Sequence, residues 1–390
     1  MTARGPGGLT RLELIGVAAV ATLVAAAGVT RYLHGVSAVV AFAIAALALI
    51  GLAWIVSSAT EQLGDRMGPA IAGTMQSTVG NLPELLVVIF ALQAGRVTVA
   101  ETAILGSIVV NALFVLGMVL IAGSLAAPDR VMRFGSRLPV DASTLLLIAS
   151  LMIGVVGIAT YSRSPAGAHA RPISVVGAVA ILIVYGIWLR QYLTSGGGVE
   201  EHAGAGADER AGGGADMRAD DSDRHAGSGG VPTSGVPRVS LGVALTLLIL
   251  AGVAAGFVSD WFIHSLEPTI HQLGISQAFA GLVIVAIAGN AVEHFVGVYL
   301  AYKGKADLAI SVVKTSVAQI AAFMYPLLVL VSLLTTAHLT FALAPEYVGA
   351  LVGTAVLVWQ ITGDGEATPF EGAALIAVYV VLATVAWYGA

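Results

Sequence analysis

Two short stretches of this chain carry residues that could do chemistry. Gly80-Asn81-Leu82-Pro83-Glu84 and Gly289-Asn290-Ala291-Val292-Glu293 each set an amide and a carboxylate three residues apart inside a long apolar run. The two glutamates lie 209 residues apart. A carboxylate at membrane depth costs several kcal/mol and marks a functional position by default. One such acid could be a structural group bonded to a neighbouring helix. Two in matched frames, with matched polar neighbours, point to a shared site.

The frame extends beyond the glutamates. Ser107 and Ser316 each follow their glutamate by 23 residues, across a short turn, Gly95-Arg96 in one case and Lys303-Gly304-Lys305 in the other. Thr74, Ser77, Asn81 and Glu84 recur at i, i+3, i+7 and i+10, one stripe of a helix; Ser107 and Asn111 are i, i+4, and Ser316 and Gln319 are i, i+3. Asn81, Pro83 and Glu84 have the spacing of a helix start with a capping box, so a break is expected near Gly80 that frees backbone carbonyls for a cation. The second stretch has no proline, and a break there is less clearly signalled. Every candidate ligand is an oxygen, and without cysteine no thiolate can favour zinc or copper. Such hard sites suit Ca2+, Mg2+ or Mn2+. Two carboxylates beside an empty low-dielectric site repel each other and favour protonation. A divalent ion reverses that balance, so the pair holds one such ion or about two protons, which is antiport stated as electrostatics.

Composition supplies the scaffold. The 390 residues are 57% apolar and 11% charged, against about 25% charged in soluble domains, with mean hydropathy +0.91. The class is an all-α integral membrane protein. Eleven apolar runs approach the roughly 20 residues of a span: Leu12 to Val29, then 36–57, 69–93, 99–122, 142–160, 172–193, 240–262, 276–301, 307–333, 341–360 and 372–389. The first reads as a transmembrane helix rather than a signal peptide, because further spans follow at once. With the N-terminus inside, the short inside loops hold nine Lys or Arg and the outside loops four: Arg31, Arg96, Arg163 and Arg171. This favours N-in, C-out. Net charge −5 and the lack of a basic patch give no reason to expect nucleic acid.

Residues 196–238 differ in kind: 12 Gly, eight Asp or Glu, four Arg and almost no large apolar side chain. They read as a disordered cytoplasmic linker; the carboxylates with His202 and His225 leave a calcium-sensing segment open. Four parts follow: 1–34 with the first helix, 35–195 with five helices, the linker, and 239–390 with five more. A unit of five helices repeated in tandem inserts the second time upside down, the inverted repeat of secondary transporters, with the site at the midplane.

These motifs resemble a known family. Thr60-Glu61-Gln62-Leu63, Gly68-Pro69, the Gly80 to Leu85 stretch, Gly106-Ser107, Asn111 and Gly117 resemble the first signature region of the calcium/proton exchangers, within the calcium/cation antiporter superfamily. Gly289 to His294, Ser316-Val317-Ala318-Gln319 and Pro326 resemble the second; Asp364-Gly365 and Phe370-Glu371-Gly372 resemble the start of the last helix. The likeness spans about 35–390 apart from the linker, which sits where the family has its acidic segment. It implies that Glu84 and Glu293 bind the cation and carry the exchanged protons, and that Asn81, Asn290, Ser107, Ser316, Gln319 and Asn111 line the site. Glu61 and Asp260 would be acidic positions on the ion's way in, at matching helix ends. It implies Ca2+ and H+ as transported species with no resident cofactor. Composition implies membrane lipid around the chain, and three Lys beside abundant Ala, Gly, Val and Arg point to a GC-rich bacterial genome and so to a bacterial inner membrane; homo-oligomerisation stays open.

Two departures stand out. Thr315, preceded by Lys314, replaces the family's glycine before the serine. Periodicity turns Lys314 about 160° from Ser316, so it is expected to face away, snorkelling or pairing with an acid such as Glu366. His294 is expected to assist Glu293 by a hydrogen bond rather than as a ligand. Other cation pairs, Mn2+/H+, Mg2+/H+ or Na+-coupled exchange, share the same chemistry. An intramembrane hydrolase does not fit: Gly363-Asp364-Gly365 lies at a loop without a partner acid in a span, and Glu293-His294 lacks the second histidine of a zinc helix.

Overall fold

The computed structural model describes residues 10–33, 35–64, 80–135, 137–194 and 239–389. The Gly68-Pro69, Thr74 and Ser77 positions and the 196–238 linker lie outside the described residues.

The helices, in chain order, are α1 (Arg11–Tyr32), α2 (Ala38–Gly64), α3 (Leu82–Gln93), α4 (Val97–Ala126), α5 (Arg137–Tyr161), α6 (Ala170–Thr194), α7 (Leu241–Leu273), α8 (Gln277–Tyr302), α9 (Ala306–Leu334), α10 (Pro345–Thr362) and α11 (Pro369–Tyr388). Among the described residues nine helices are long and apolar enough to cross a membrane; α3 and α10 are not counted with them. α3 is short because the backbone turns at Asn81, inside the expected 69–93 run, and the helix starts at Leu82. α1 opens with a capping box: Glu13 N donates to Thr10 Oγ1 and Thr10 N to Glu13 Oε2.

α7 differs from its expected span. The apolar run ends near 262, yet the helix continues to Leu273 and stops at Gly274, whose φ of 65° suits a left-handed cap. The added turns are amphipathic. Phe262, Leu266, Thr269 and Ile270 are buried while Asp260, His264 and His271 are exposed, so tertiary packing sustains the helix beyond its hydropathy.

α4 lies deepest: 83% of its apolar window is buried, against 11% for α1. Its enclosure depends on glycine. A methyl on Gly106 would collide with the Leu282 carbonyl of α8, and one on Gly281 with Thr102 Oγ1 of α4. Gly117 of α4 and Gly372 of α11 meet the same way, each against the other's carbonyl oxygen. Small residues let the helix backbones approach closely at these crossings. α4 and α9 each widen into a π turn, Val110–Val115 and Ile320–Met324.

The chain also forms one small sheet that the all-α reading lacks. β1 (Met132–Arg133) pairs antiparallel with β2 (Glu366–Ala367), placing Met132 opposite Ala367 and Arg133 opposite Glu366. Phe134 N donates to Gly365 O, and Ser124 Oγ to Ala367 O. The ribbon ties the loop after α4 to the loop before α11. Arg133 holds both Asp129 and Glu366, and its hydrogen bond keeps the Asp129 carboxyl below its usual range.

Candidate cation site

The two motif stretches meet face to face. Gly80 is helical, Asn81 is a turn residue and α3 starts at Leu82, so the break expected near Gly80 falls at Asn81. Pro83 sits in the first turn, where its missing N–H leaves no bond unmade. The expected capping box does not form. Asn81 makes no side-chain cap, and Glu84, three residues into the helix, turns instead toward α8. The second stretch is unbroken: Gly289 to Glu293 lies inside a continuous α-helical segment, and the irregularity sits just upstream as a π turn over Ala280–Val285.

Asn290 is the hub. Its Nδ2 donates to Glu84 Oε2 at 3.3 Å, to Ser107 Oγ at 3.0 Å and to Ala286 O at 3.1 Å. Glu84, Asn290 and Ser107 are all buried. On the other side Ser316 Oγ donates to Glu293 Oε2 at 2.6 Å, the length of a charge-assisted bond. The pairing between motifs is crosswise. The Cβ that Gly80 lacks would stand 3.6 Å from Glu293 Oε1, and that of Gly289 3.5 Å from Glu84 Cβ. The glycine of each motif thus lies at ordinary contact distance from the glutamate of the other, and the two carboxylates are near enough to interact through their charges.

Several oxygens remain unspent. Glu84 Oε1, Asn290 Oδ1 and Gln319 Oε1 are buried without a hydrogen-bond partner. Buried acceptors without donors are costly, and a cation would satisfy them. Asn111 is buried with its Nδ2 unpartnered, whereas Gln319 also reaches Tyr185 of α6. Small cavities flank both acids, one walled by Ser57, Gly80, Asn290 and Glu293, the other by Leu49, Pro83, Val87 and Phe262 around Glu84.

Other expectations are placed differently. Asp260 lies exposed well inside α7 rather than at a helix end, because the amphipathic turns carry the helix on to Leu273. Glu61 is in the last turn of α2, with its side chain outside the described residues. His294 is buried with Nε2 unpartnered and makes no bond to Glu293, its chain neighbour on a different helix face. Lys314 faces away from Ser316, as expected, but neither snorkels nor meets Glu366, which Arg133 holds. It is buried, donating to Ser143 Oγ of α5 and Thr362 Oγ1 of α10. Both hydroxyls donate to carbonyls of their own helices, Pro139 O and Val358 O, so toward Lys314 they can only accept. The motif reading passed over one acid, Glu101 of α4; the available signal was a charge inside the 99–122 apolar run.

A sequence model of the family described as sodium/calcium exchanger protein matches residues 37–191 and 243–388. The Ca2+/H+ antiporter ChaA of Bacillus subtilis strain 168 is 30% identical over 355 residues, covering 90% of this chain and 92% of its own. A Ca2+/H+ antiporter of Aphanothece halophytica is 28% identical over 348 residues, covering 87% and 88%. The solved structure of native YfkE resembles the fold with a TM-score of 0.72 at 26% identity, covering 96% of this chain and 99% of that one.

Proposed function

The chain belongs to the sodium/calcium exchanger protein family, and on that premise we propose that it is a secondary active antiporter exchanging Ca2+ for H+ across a membrane. The observation that carries the reading is the crosswise pairing of the two Gly-Asn-x-x-Glu motifs around unpartnered oxygens. Glu84 and Glu293 bind either one Ca2+ or about two protons, because two like charges in a low-dielectric site require that much positive charge. Asn290 holds Glu84, and Ser316 holds Glu293. Ser107, Asn81, Asn111 and Gln319 complete the lining, and Glu61 and Asp260 are acidic positions on the way in. Transport proceeds by alternating access between two inverted five-helix repeats, 35–195 and 239–390, with the site at the midplane. The chain sits in a bacterial inner membrane with its N-terminus cytoplasmic, and it transports rather than catalyses.

The test is Ca2+ uptake by the purified chain in proteoliposomes under an imposed pH gradient. Uptake should require the gradient and be lost in Glu84→Gln and Glu293→Gln. Full activity in both variants would end the assignment of these residues. The family's own description names sodium, so a Na+ gradient without a pH gradient is the second arm, and uptake driven by it alone would favour Na+ coupling. Competition by Mn2+ and Mg2+ ranks the divalent substrates.

A further inference from the structure

We propose that Phe262 of α7 is the plug that closes the cation pathway between Glu84 and the Gly95-Arg96 face of the protein; this rests on the exchanger reading above. The two cavities beside the paired acids lie at successive levels along the helices. On α2 the first is walled by Ala53 and Ser57 and the second by Leu49; on α8 the first is walled by Asn290 and Glu293 and the second by Val285 and Ala288. α3 runs the other way, with Gly80 at the first level and Val87 at the second. The first cavity therefore lies toward the Lys303-Gly304-Lys305 turn that follows α8, and the second toward the Gly95-Arg96 turn that follows α3. The Arg96–Glu267 ion pair joins that second turn to α7 just beyond Phe262.

The cavities are counterparts. The 209-residue offset that sets Glu84 on Glu293 also sets the end of α2, Gly64, on the end of α7, Leu273. In that frame Pro83 matches Val292 and Ala53 matches Phe262, so each cavity is walled by one glutamate, the residue before it and one α2 or α7 side chain from equivalent places. Their exposure is opposite. Ser57, Gly80, Val292 and Glu293 keep accessible surface at the first cavity, while every wall of the second except the shared Gly289 is buried, Glu84 at 1% and Phe262 at 0% exposure. At the matched α2 and α7 places the open side has a methyl and the closed side a ring. The Phe262 ring stacks on Phe42 with centroids 4.6 Å apart. Phe42 precedes Leu49 by two turns of α2, about 10 Å toward the Gly95-Arg96 face. Phe42 and Phe262 thus cover the second cavity on that side. An apolar constriction of this kind holds back water and ions without any charge of its own.

The chain has no cysteine, so a single introduced thiol reports alone. Val87→Cys places one in the second cavity and Ser57→Cys one in the first. The full chain is reconstituted in one orientation without Ca2+, and a charged, membrane-impermeant methanethiosulfonate is applied to each face in turn. Ser57→Cys should react from the Lys303-Gly304-Lys305 face, and Val87→Cys should react slowly from the Gly95-Arg96 face. Adding Phe262→Ala should speed Val87→Cys from the Gly95-Arg96 face about tenfold or more, a barrier lower by about 1.4 kcal/mol, and leave Ser57→Cys unchanged. Leu266→Ala truncates a buried neighbour that walls neither cavity and should change neither rate. Phe262→Val should give an intermediate rate, and it carries the test if the alanine variant does not fold. A folded Phe262 variant that labels like the native chain would overturn the plug, as would an equal rise with Leu266→Ala, which would show loosened packing only. The plug also fails if Val87→Cys beside native Phe262 already reacts from its face as fast as Ser57→Cys does from the other. If the native chain moves no Ca2+, the exchanger reading fails, while the labelling still decides whether Phe262 closes this side.

Discussion

Asn290→Ala is the most informative single change to the paired-glutamate site. The side chain brings two amide hydrogens to three acceptors, Glu84 Oε2, Ser107 Oγ and Ala286 O. The bond to Glu84 carries charge and is worth about 1.5–3 kcal/mol, and the neutral bond to Ser107 about 1 kcal/mol. At 3.3 Å the first is long, so a combined loss of about 2 kcal/mol is the reasonable figure, which is roughly 30-fold in Ca2+ affinity. Ser107→Ala removes one acceptor and leaves the Asn290–Glu84 bond, so about 1 kcal/mol, or roughly fivefold, is expected. The two residues act in one network, so the double variant should lose less than the product of the singles. The assay is the Ca2+ concentration dependence of pH-driven uptake in proteoliposomes, with thermal midpoints confirming that each variant folds. An Asn290→Ala protein within threefold of native affinity, or strict multiplicativity in the double variant, would refute the hub.

Three further outcomes are expected. Ser316→Ala removes the 2.6 Å bond to Glu293 and should weaken Ca2+ affinity by about tenfold, read in the same uptake curve; an unchanged curve would deny Ser316 its part. Lys314→Met should leave the thermal midpoint in detergent unchanged or raise it, because Ser143 and Thr362 keep their helical carbonyl partners and a buried unpaired ammonium is removed; a fall of about 5 °C or more would show that the ammonium itself stabilises the helix contact. Gly106→Ala drives a methyl into the Leu282 backbone, which cannot step aside as a side chain could, so a loss of about 1–3 kcal/mol is expected; a midpoint equal to the native one would show that α4 and α8 can separate at no cost.

Much of the site was legible because membrane burial makes polar residues expensive. Glu84, Glu293, Asn290, Ser107 and Ser316 each stood out against an apolar run, and the structure brings them together. Other features left no such trace. The Asn81 capping box followed from local spacing, but Glu84 is drawn across to Asn290 of the other half, and that partner lies 206 residues away. The continuation of α7 past 262 was hidden because its added turns are amphipathic, a pattern that only packing can stabilise. Lys314 was expected at a membrane surface or beside an acid. Two hydroxyls from α5 and α10 take it instead, a pairing no local rule could anticipate. Glu101 went unread because it belongs to no repeated motif.

The sequence by itself determined that this is a membrane-embedded helical chain with two matched acidic motifs, since hydropathy and an acid's desolvation cost are local quantities. The tertiary structure decided how the motifs face one another. Gly80 lies against Glu293, Gly289 lies against Glu84, and the close crossing of Gly106 and Gly281 sets the distance at which α4 and α8 meet. Those contacts depend on helix separation and rotation, which are fixed by packing across the whole bundle and are written in no single stretch.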